Sequence, residues 1–447
     1  MRSAKLRALF VLVAVLLSAC GSPLPPSVMD RSATGAMATA PAADREAYVA
    51  GTADALEAAL RGGDARSFEA FVAWAGGADP DPVATRAIIA RVLARTGGVG
   101  VLTGVAAAWR ERLVSLSRQV APKVRAAAAK APIRLPVDET AHPRALTEWW
   151  YLNGHLTDGK RRYGFEYTLF KVGPLLRWAH VALTEESSGR FRYLREGIRR
   201  REALEATDRL DLAYGPHRFR TTGPDAWSLT GRTDGAQLDL DFTTTKAPML
   251  MNGDGIIDMP EGDFSWYYSR TRLETRGSLL LDGRRLAVTG LSWFDHQWGP
   301  FYVTGFKERW DWFSVQTDDG VDYNLFGFRN GDGTVVARYA NVLDAEGRLT
   351  TARAFDLERK AWWQSPRTHK WYTTSWVLAL PDRQETIRLD ATVTAQELAR
   401  RVPFLMDPLP EYWEGSMKVA KSGPDGQTTS GVAYCEHFGF TERPTAP

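Results

Sequence analysis

The chain has 447 residues, of which 56 are Lys or Arg and 53 are Asp or Glu, giving a formal net charge of +3. The excess of positive charge lies within residues 1–19, so the rest of the chain is neutral and has no basic domain. Because binding to a nucleic-acid backbone depends on clustered positive charge, these numbers exclude a nucleic-acid-binding protein.

The first 19 residues have the pattern of a removable signal peptide. Basic residues precede an apolar run from Ala8 to Leu17, which is too short to span a bilayer. The sequence Leu17-Ser18-Ala19-Cys20 follows it and resembles the site at which bacterial lipoproteins are lipidated. We therefore expect a lipid anchor on Cys20 and a place in the bacterial cell envelope, at the periplasmic face of the outer membrane. The alternative is an ordinary thiol near a signal cleavage site.

The second cysteine is Cys435, which has no partner if Cys20 is lipidated. An exported chain without an internal disulfide has to be stabilised by a hydrophobic core. Two cysteines also exclude a tetrathiolate zinc site.

Residues 20–43 are rich in Pro, Ala and Ser and are predicted to form a flexible tether. Residues 44–131 are rich in Ala and Arg, and their apolar residues recur at intervals of three and four, which indicates three or four helices. The apolar stripes are Tyr48, Ala55, Leu56 and Leu60, then Ile88, Ile89, Val92 and Leu93, and then Val105, Trp109, Leu113 and Leu116.

The pattern changes at about residue 140. All seven Asp-Gly dipeptides lie beyond residue 150, most of them between runs of β-forming residues, which is the strongest local signal for hairpins. Hairpins are predicted at Asp158-Gly159 and at Asp282-Gly283. Many short antiparallel strands are typical of a β-sandwich or a β-barrel.

The β-rich part contains an internal repeat. Gly290-Leu-Ser-Trp-Phe-Asp-His296 matches Gly431-Val-Ala-Tyr-Cys-Glu-His437, and the eleven residues from Trp149 match those from Trp310. A third match pairs Gly277 with Gly415. The repeat predicts two similar β domains in tandem, residues 140–303 and 304–447. Each has the size of a small closed barrel, and a barrel of about eight strands can hold one small apolar ligand.

The string Ser292-Trp-Phe-Asp-His-Gln-Trp-Gly-Pro300 is the most unusual in the chain. On a strand, Asp295 and His296 point to opposite faces. Burial of Asp295 among aromatic rings would raise the pKa of its carboxyl group and make it a proton donor near neutral pH. The alternative is a structural role, which the repeat favours because Glu436-His437 takes the same place in the second copy.

A ligand lumen is predicted where aromatic and polar residues share one strand face, as they do from Trp149 to His155. The alternative is that the aromatic rings simply fill the barrel and that the lone His180 is a core residue with satisfied hydrogen bonds. The predicted ligand-binding residues are Trp149, Tyr151, Glu166, His180, Trp293 and Trp298.

Five strings together resemble the lipocalin-like family of carotenoid 1,2-hydratase (hydroxyneurosporene synthase) and AttH proteins, over about residues 142–440. The resemblance implies two lipocalin-like barrels, in agreement with the repeat, so the predicted fold is mainly β, with two tandem antiparallel barrels after a helical segment. Gln297 stands where many relatives have Glu, which removes one candidate acid. The strings are Glu148-Trp-Trp-Tyr-Leu-Asn-Gly-His-Leu, Tyr163-Gly-Phe-Glu-Tyr, Ser269-Arg-Thr-Arg-Leu273, Ser292-Trp-Phe-Asp-His-Gln-Trp-Gly299 and Tyr412-Trp-Glu-Gly-Ser.

The resemblance implies a hydratase that adds water to the terminal double bond of an acyclic carotenoid or a similar apolar isoprenoid. Protonation of an alkene needs a neutral acid in a dry pocket, and Asp295 is the candidate. Aromatic rings would stabilise the carbocation, and His296 or Glu148 would orient the water. This chemistry requires no metal and no organic cofactor.

The alternative function is a non-catalytic envelope lipoprotein that binds or carries a hydrophobic ligand. The tether and the helical segment 44–131 fit this picture better, because they suggest a partner or a fixed place at the membrane. A hydrolase is least favoured, because the sequence has no Gly-x-Ser-x-Gly nucleophile motif.

Overall fold

The computed structural model describes residues 42–75, 82–96, 104–128, 132–173, 176–244, 246–258, 264–301, 309–329, 335–352, 355–400 and 409–443. The predicted signal peptide, Cys20 and residues 20–41 of the predicted tether lie outside these ranges. The helices belong to one compact unit and the two β-sheets to another.

Four helices occupy the described part of the predicted helical segment, which confirms the prediction of three or four. Their apolar stripes are buried, for example at Leu60, Ile89 and Leu113. Val105 is an exception, with 64% of its surface exposed, because the buried face of its helix begins at Trp109. None of these helices combines the length and the hydropathy that crossing a bilayer requires. The helices are α1 Ala42–Gly62, α2 Ala65–Ala75, α3 Pro82–Thr96 and α4 Gly104–Ala128.

The first sheet contains thirteen strands among the described residues and curls into a nearly closed barrel. Its strand order is β4-β3-β2-β1-β13-β12-β9-β8-β7-β6-β5, and β10 and β11 pair with β12. The strands are β1 Thr147–Thr157, β2 Arg162–Val172, β3 Leu176–Glu185, β4 Arg190–Ile198, β5 Ala203–Glu205, β6 Asp211–Tyr214, β7 His217–Gly223, β8 Ala226–Thr233, β9 Ala236–Thr243, β10 Met249–Leu250, β11 Ile256–Asp258, β12 Phe264–Leu281 and β13 Arg284–Gly299.

The second sheet contains ten strands among the described residues and forms a half-barrel. Its order is β17-β16-β15-β14-β23-β22-β20-β19-β18, and β21 pairs with β22. The strands are β14 Arg309–Thr317, β15 Asp322–Arg329, β16 Val335–Leu343, β17 Leu349–Ala352, β18 Asp356–Gln364, β19 Trp371–Leu380, β20 Glu385–Ala391, β21 Glu397–Leu398, β22 Tyr412–Ser422 and β23 Thr428–Phe438. The predicted fold of two tandem β-barrels after a helical segment is therefore confirmed, with the second barrel open.

The predicted hairpins form at Asp-Gly dipeptides. Asp158-Gly159 lies between β1 and β2, and Asp282-Gly283 lies between β12 and β13. Asp282 and Gly283 both have positive φ, at 49° and 80°. That conformation belongs to the tight turn whose twist matches the flanking strands, and Asp-Gly adopts it readily.

The sequence repeat corresponds to a repeat in strand pairing. In the first sheet Tyr151 lies opposite Asp295, and in the second Trp312 lies opposite Glu436. Both pairs fall at the offsets that the repeated strings predict. The third match was wrong, because Gly277 lies opposite Val288 whereas Gly415 lies opposite Cys435, and these partners are not equivalent in the repeat.

Gly290 and Gly431 are equivalent in the two copies, and each lies where neighbouring backbone leaves no room for a side chain. A Cβ atom on Gly290 would lie 1.9 Å from the backbone oxygen of His155, and one on Gly431 would lie 2.4 Å from that of Gln316. The repeated glycine therefore allows close contact between strands in both sheets.

We predict that Gly290→Ala and Gly431→Ala each lower the free energy of unfolding by about 1–3 kcal/mol, because the backbone has to move to admit the methyl group. Urea denaturation measures this. Gly223→Ala is the matched control, since its Cβ would meet nothing nearer than the Cβ of Ala226 at 3.8 Å. Equal stability of all three variants would contradict the explanation.

Candidate functional site

The two faces of the β1–β13 pair have different surroundings. Trp150, Phe294 and Trp298 belong to the hydrophobic core of the first sheet. Tyr151 and Asp295 lie on the opposite face, toward the second sheet. The predicted placement of the polar ligand face inside the first barrel is therefore wrong. The alternation was predicted correctly, but a two-residue period does not say which face is the inner one.

Hydrogen bonds join this face of the first sheet to the second. The Tyr151 hydroxyl donates to Glu414. Asn153 Nδ2 donates to Ser314 Oγ at 3.3 Å, and His180 Nδ1 lies 2.6 Å from the hydroxyl of Tyr412. We call the side chains between the two sheets the inter-sheet layer. Its polar and aromatic members are Tyr151, Asn153, Glu166, His180, Tyr267, Ser269, Trp293 and Asp295 from the first sheet, and Trp312, Ser314, Asn324, Tyr412, Glu414, Tyr434 and Glu436 from the second.

Asp295 is buried in this layer and accepts three hydrogen bonds. Tyr267 OH donates to Oδ2 at 2.5 Å, while Ser269 Oγ and Trp293 Nε1 donate to Oδ1 at 2.5 and 2.6 Å. Burial raises the pKa of Asp295 to about 7, against the opposing effect of these donors. Asp295 is thus buried, as the sequence predicted, and its part as a proton donor stays a prediction.

The donors to Asp295 are held in place by the second sheet. Trp312 Nε1 donates to the Tyr267 hydroxyl at 3.0 Å, and Asn324 Nδ2 donates to it at 2.9 Å. With two donors already directed at its oxygen, Tyr267 has to direct its own proton to Asp295. Both Asp295 oxygens are therefore occupied by protein groups, which favours the structural alternative for this residue over direct contact with a ligand.

Three further carboxyl groups, on Glu166, Glu414 and Glu436, lie in the layer. Burial raises the pKa of Glu414 well above its usual range, and the charges of Glu166 and Glu436 raise it further. Burial likewise raises the pKa of Glu166 and of Glu436, with the charge of Glu436 adding to the shift of Glu166. Neighbouring carboxyl groups of this kind share protons, since all three cannot be ionised together at low cost.

Glu166 and Glu414 each retain one oxygen with no hydrogen bond to the described residues. Thr168 donates to Oε1 of Glu166 and Tyr151 donates to Oε1 of Glu414, while both Oε2 atoms are buried and unpaired. An unpaired buried polar atom costs about 1–3 kcal/mol. In a carboxyl group with a raised pKa, such an oxygen is available to give a proton to a bound molecule or to take one from it.

Glu148 and His296 form a separate cluster on the other face of β1 and β13. His296 Nε2 and His142 Nδ1 lie 3.1 and 2.7 Å from Oε1 of Glu148, and Lys171 Nζ donates to its Oε2 at 2.8 Å. Burial acts to raise the pKa of Glu148, but Lys171 and the two histidines outweigh it and hold this pKa well below its usual range. Burial lowers the pKa of His296 to about 4.

The predicted catalytic residues therefore do not meet. Asp295 lies in the inter-sheet layer, whereas Glu148 and His296 lie on the opposite strand face, because neighbouring residues of a strand alternate. Trp298 belongs to the cluster around Glu148, stacked on His142 with ring centroids 4.2 Å apart. Trp149 is partly buried, and its ring centroid lies 6.4 Å from that of Phe170. Of the predicted ligand-binding residues, those in the layer are Tyr151, Glu166, His180 and Trp293.

Glu414 and Trp312 are site residues that the sequence did not identify, and Glu436 was identified only as the copy of Asp295 in the repeat. Glu414 lies opposite Glu436, as Ser269 lies opposite Asp295. The strand register extends the repeat to β22 and so identifies Glu414, but the sequence does not contain that register. The motif Tyr412-Trp-Glu-Gly-Ser by itself does not mark its Glu as a site residue.

We predict that Asp295 makes stability fall with rising pH. Between about pH 4 and pH 7 the folded protein keeps the Asp295 proton while the unfolded chain releases it, so the contribution is full below pH 4 and is lost by pH 7. The difference in unfolding free energy between wild type and Asp295→Asn should decrease over this window, by on the order of 4 kcal/mol at most. Chemical denaturation at several pH values measures it. The exposed Asp382→Asn is the control, and a pH-independent difference would contradict the assignment.

Residues 126–440 match the family described as AttH-like. The structure of a candidate AttH from Nitrosomonas europaea is 25% identical with a TM-score of 0.61, covering 69% of this chain and 97% of that one. Kievitone hydratase from Nectria haematococca is 16% identical with a TM-score of 0.57, covering 70% and 94%, and shares the fold. No curated protein matches the chain. Since the family match spans well over half of the sequence, the chain belongs to the AttH-like family.

Proposed function

We propose that this protein is a hydratase-like lyase that protonates an alkene bound in the inter-sheet layer and adds water to it. The observation that carries the proposal is the pair of buried, unpaired carboxyl oxygens of Glu166 and Glu414. The fold shared with kievitone hydratase is consistent with such a reaction. The proposed substrate class is an acyclic carotenoid or a similar apolar isoprenoid.

Alkene hydration needs an acid and a base in one dry place. A carboxyl group with a raised pKa keeps its proton near neutral pH, and once it has given that proton up it readily accepts one. Glu414 donates its proton to one alkene carbon, which leaves a tertiary carbocation on the other. Water adds to that cation while it donates a hydrogen bond to the unpaired oxygen of Glu166. The proton that the water loses returns to the ionised Glu414, so the net change is the addition of one water molecule.

Aromatic rings in the layer are suited to stabilising the cation. Trp312 lies edge-on to Tyr151 and Trp293, with ring centroids 5.2 and 6.4 Å apart. A cation above such a ring gains about 0.5–2 kcal/mol. Asp295 acts in this scheme as a positioning residue, because its hydrogen bonds hold Tyr267 and Trp293 in place.

We predict that Glu414→Gln abolishes water addition without loss of folding or ligand uptake, because the amide retains the shape of the side chain but is not an acid. Purified protein is incubated with lycopene in heavy-oxygen water, and mass spectrometry measures the hydrated product. The exposed Glu442→Gln is the matched control. Full activity of Glu414→Gln would contradict the role of Glu414.

Asp295→Asn distinguishes the two candidate acids. If Asp295 only positions its neighbours, this variant should retain measurable turnover with a weakened substrate affinity. Loss of turnover with ligand binding intact would instead identify Asp295 as the acid.

A ligand that copurifies with wild type and remains chemically unchanged on incubation would support the alternative of a non-catalytic carrier.

The proposed location is the periplasmic face of the outer membrane, with the anchor on Cys20. Support comes from the sequence Leu17-Ser18-Ala19-Cys20 alone. A lipidated amino terminus partitions into the bilayer in proportion to its buried methylene groups.

We predict that Cys20→Ser moves the protein from the membrane fraction to the soluble fraction of fractionated cells. Cys435→Ser is the control, since Cys435 is buried in the second sheet and carries no anchor in this proposal. Mass spectrometry of the amino-terminal peptide measures the lipid directly. An unmodified Cys20 in mature wild-type protein would disprove the anchor.

A further inference from the structure

The cluster around Glu148 takes no part in the proposed reaction, yet it brings together groups from three places in the chain. His142 precedes β1, Glu148 lies near the start of β1, and His296 lies near the end of β13. Trp150 lies opposite His296 in the strand register, which brings the Glu-Trp-Trp-Tyr and Trp-Phe-Asp-His strings side by side. Two of the most distinctive strings in the sequence therefore contribute to one cluster.

The three ligand-type atoms of this cluster converge. His142 Nδ1, Glu148 Oε1 and His296 Nε2 all lie within 4.8 Å of one another. The two imidazole nitrogens lie 2.7 and 3.1 Å from the same carboxylate oxygen. A tetrahedral metal ion bonded at about 2.0–2.2 Å to each atom requires separations only slightly larger than these. Among the described residues this is the one group of three such side chains that meets so closely.

The neighbouring residues suit a metal site. Lys171 Nζ holds Oε2 of Glu148, the oxygen that the imidazoles do not approach, and so turns Oε1 toward both rings. Asp138 Oδ1 lies 3.6 Å from Nε2 of His142, where a carboxylate orients a ligating imidazole. Such supporting carboxylates fix the ring and raise its basicity as a ligand.

The cluster is buried on one side and open on the other. Trp150, Tyr268 and Trp298 surround His296, with ring centroids 5.0, 5.6 and 4.6 Å away. His142 retains 21% side-chain exposure, which provides a path for an ion. An aromatic surround lowers the local dielectric constant and strengthens the attraction between a cation and its ligands.

We propose that His142, Glu148 and His296 bind a divalent transition-metal ion of the zinc class, with water as the fourth ligand. Two imidazoles and one carboxylate form a donor set that zinc prefers. The ion replaces the protons that now lie between the rings and Oε1, and it links the segment before β1 to β13. The site is independent of the proposed hydration chemistry, because it lies on the face of β1 and β13 that points away from the inter-sheet layer and from Glu414.

The test uses the full chain, treated with a chelator, dialysed and titrated with ZnCl₂ in a calorimeter. We expect one Zn²⁺ per wild-type chain, confirmed by elemental mass spectrometry. His142→Gln should weaken binding by about 100-fold or more, since loss of a supporting residue alone costs about 10–100-fold. Asp138→Asn should show that smaller loss. The exposed His369→Asn is the matched control and should bind as wild type does.

Cobalt provides a second readout. CoCl₂ in place of ZnCl₂ should produce the visible absorption of a tetrahedral ion, and this signal should disappear in His142→Gln. If His142→Gln does not fold, Asp138→Asn decides the outcome. Absence of stoichiometric Zn²⁺ binding to wild type, or equal binding by the variants, would overturn the site and leave a simple ion-pair cluster. Glu414→Gln should bind Zn²⁺ normally, so failure of the hydratase proposal would not be mistaken for failure of this one.

Discussion

The hydroxyl group of Tyr267 connects the two sheets at a single oxygen. It donates to Asp295 of the first sheet and accepts from Trp312 and Asn324 of the second. Because protein groups satisfy this buried hydroxyl on all sides, they fix the geometry of its neighbours. The inter-sheet layer depends on that constraint, since an apolar contact between the sheets would leave buried carboxyl groups without any counterpart.

The two halves that the repeat relates place different groups beside a buried carboxyl group. The pair formed by Ser269 and Asp295 in the first sheet corresponds to that formed by Glu414 and Glu436 in the second. A hydroxyl beside a carboxyl group satisfies it, as Ser269 does for Asp295. Two carboxyl groups side by side compete for protons instead. Both oxygens of Asp295 are therefore occupied by hydrogen bonds, while Glu414 retains an unpaired oxygen, as Glu166 of the first sheet also does.

Asp295 and His296 are adjacent in sequence, but their side chains lie in different environments. Burial raises the pKa of Asp295 and lowers that of His296, because in both cases it penalises the charged form. Across the sheet, Lys171 keeps Glu148 ionised. The string that contains Asp295 and His296 thus contributes to two different clusters. In the inter-sheet layer, burial favours the protonated form of the carboxyl groups, whereas in the other cluster the ionised Glu148 pairs with Lys171.

Much of the architecture follows from sequence alone. Periodicity at three and four residues predicted the helices, Asp-Gly dipeptides predicted the hairpins, and the repeat predicted two similar sheets whose register agrees with it. These signals are local, or they compare one segment with another. The burial of Asp295 was likewise predictable from its aromatic neighbours, and so were the strand faces of Tyr151 and His296.

Only the tertiary structure decided which face of β1 and β13 is enclosed by the barrel and which meets the second sheet. Alternation has the same period on both faces, so the sequence cannot distinguish them. The approach of Glu414 to Tyr151 joins residues 263 positions apart and depends on how the two sheets pack. For the same reason the sequence predicted that Asp295, Glu148 and His296 act together. Packing instead placed Asp295 beside Tyr267, and it brought His142 and Lys171 to Glu148.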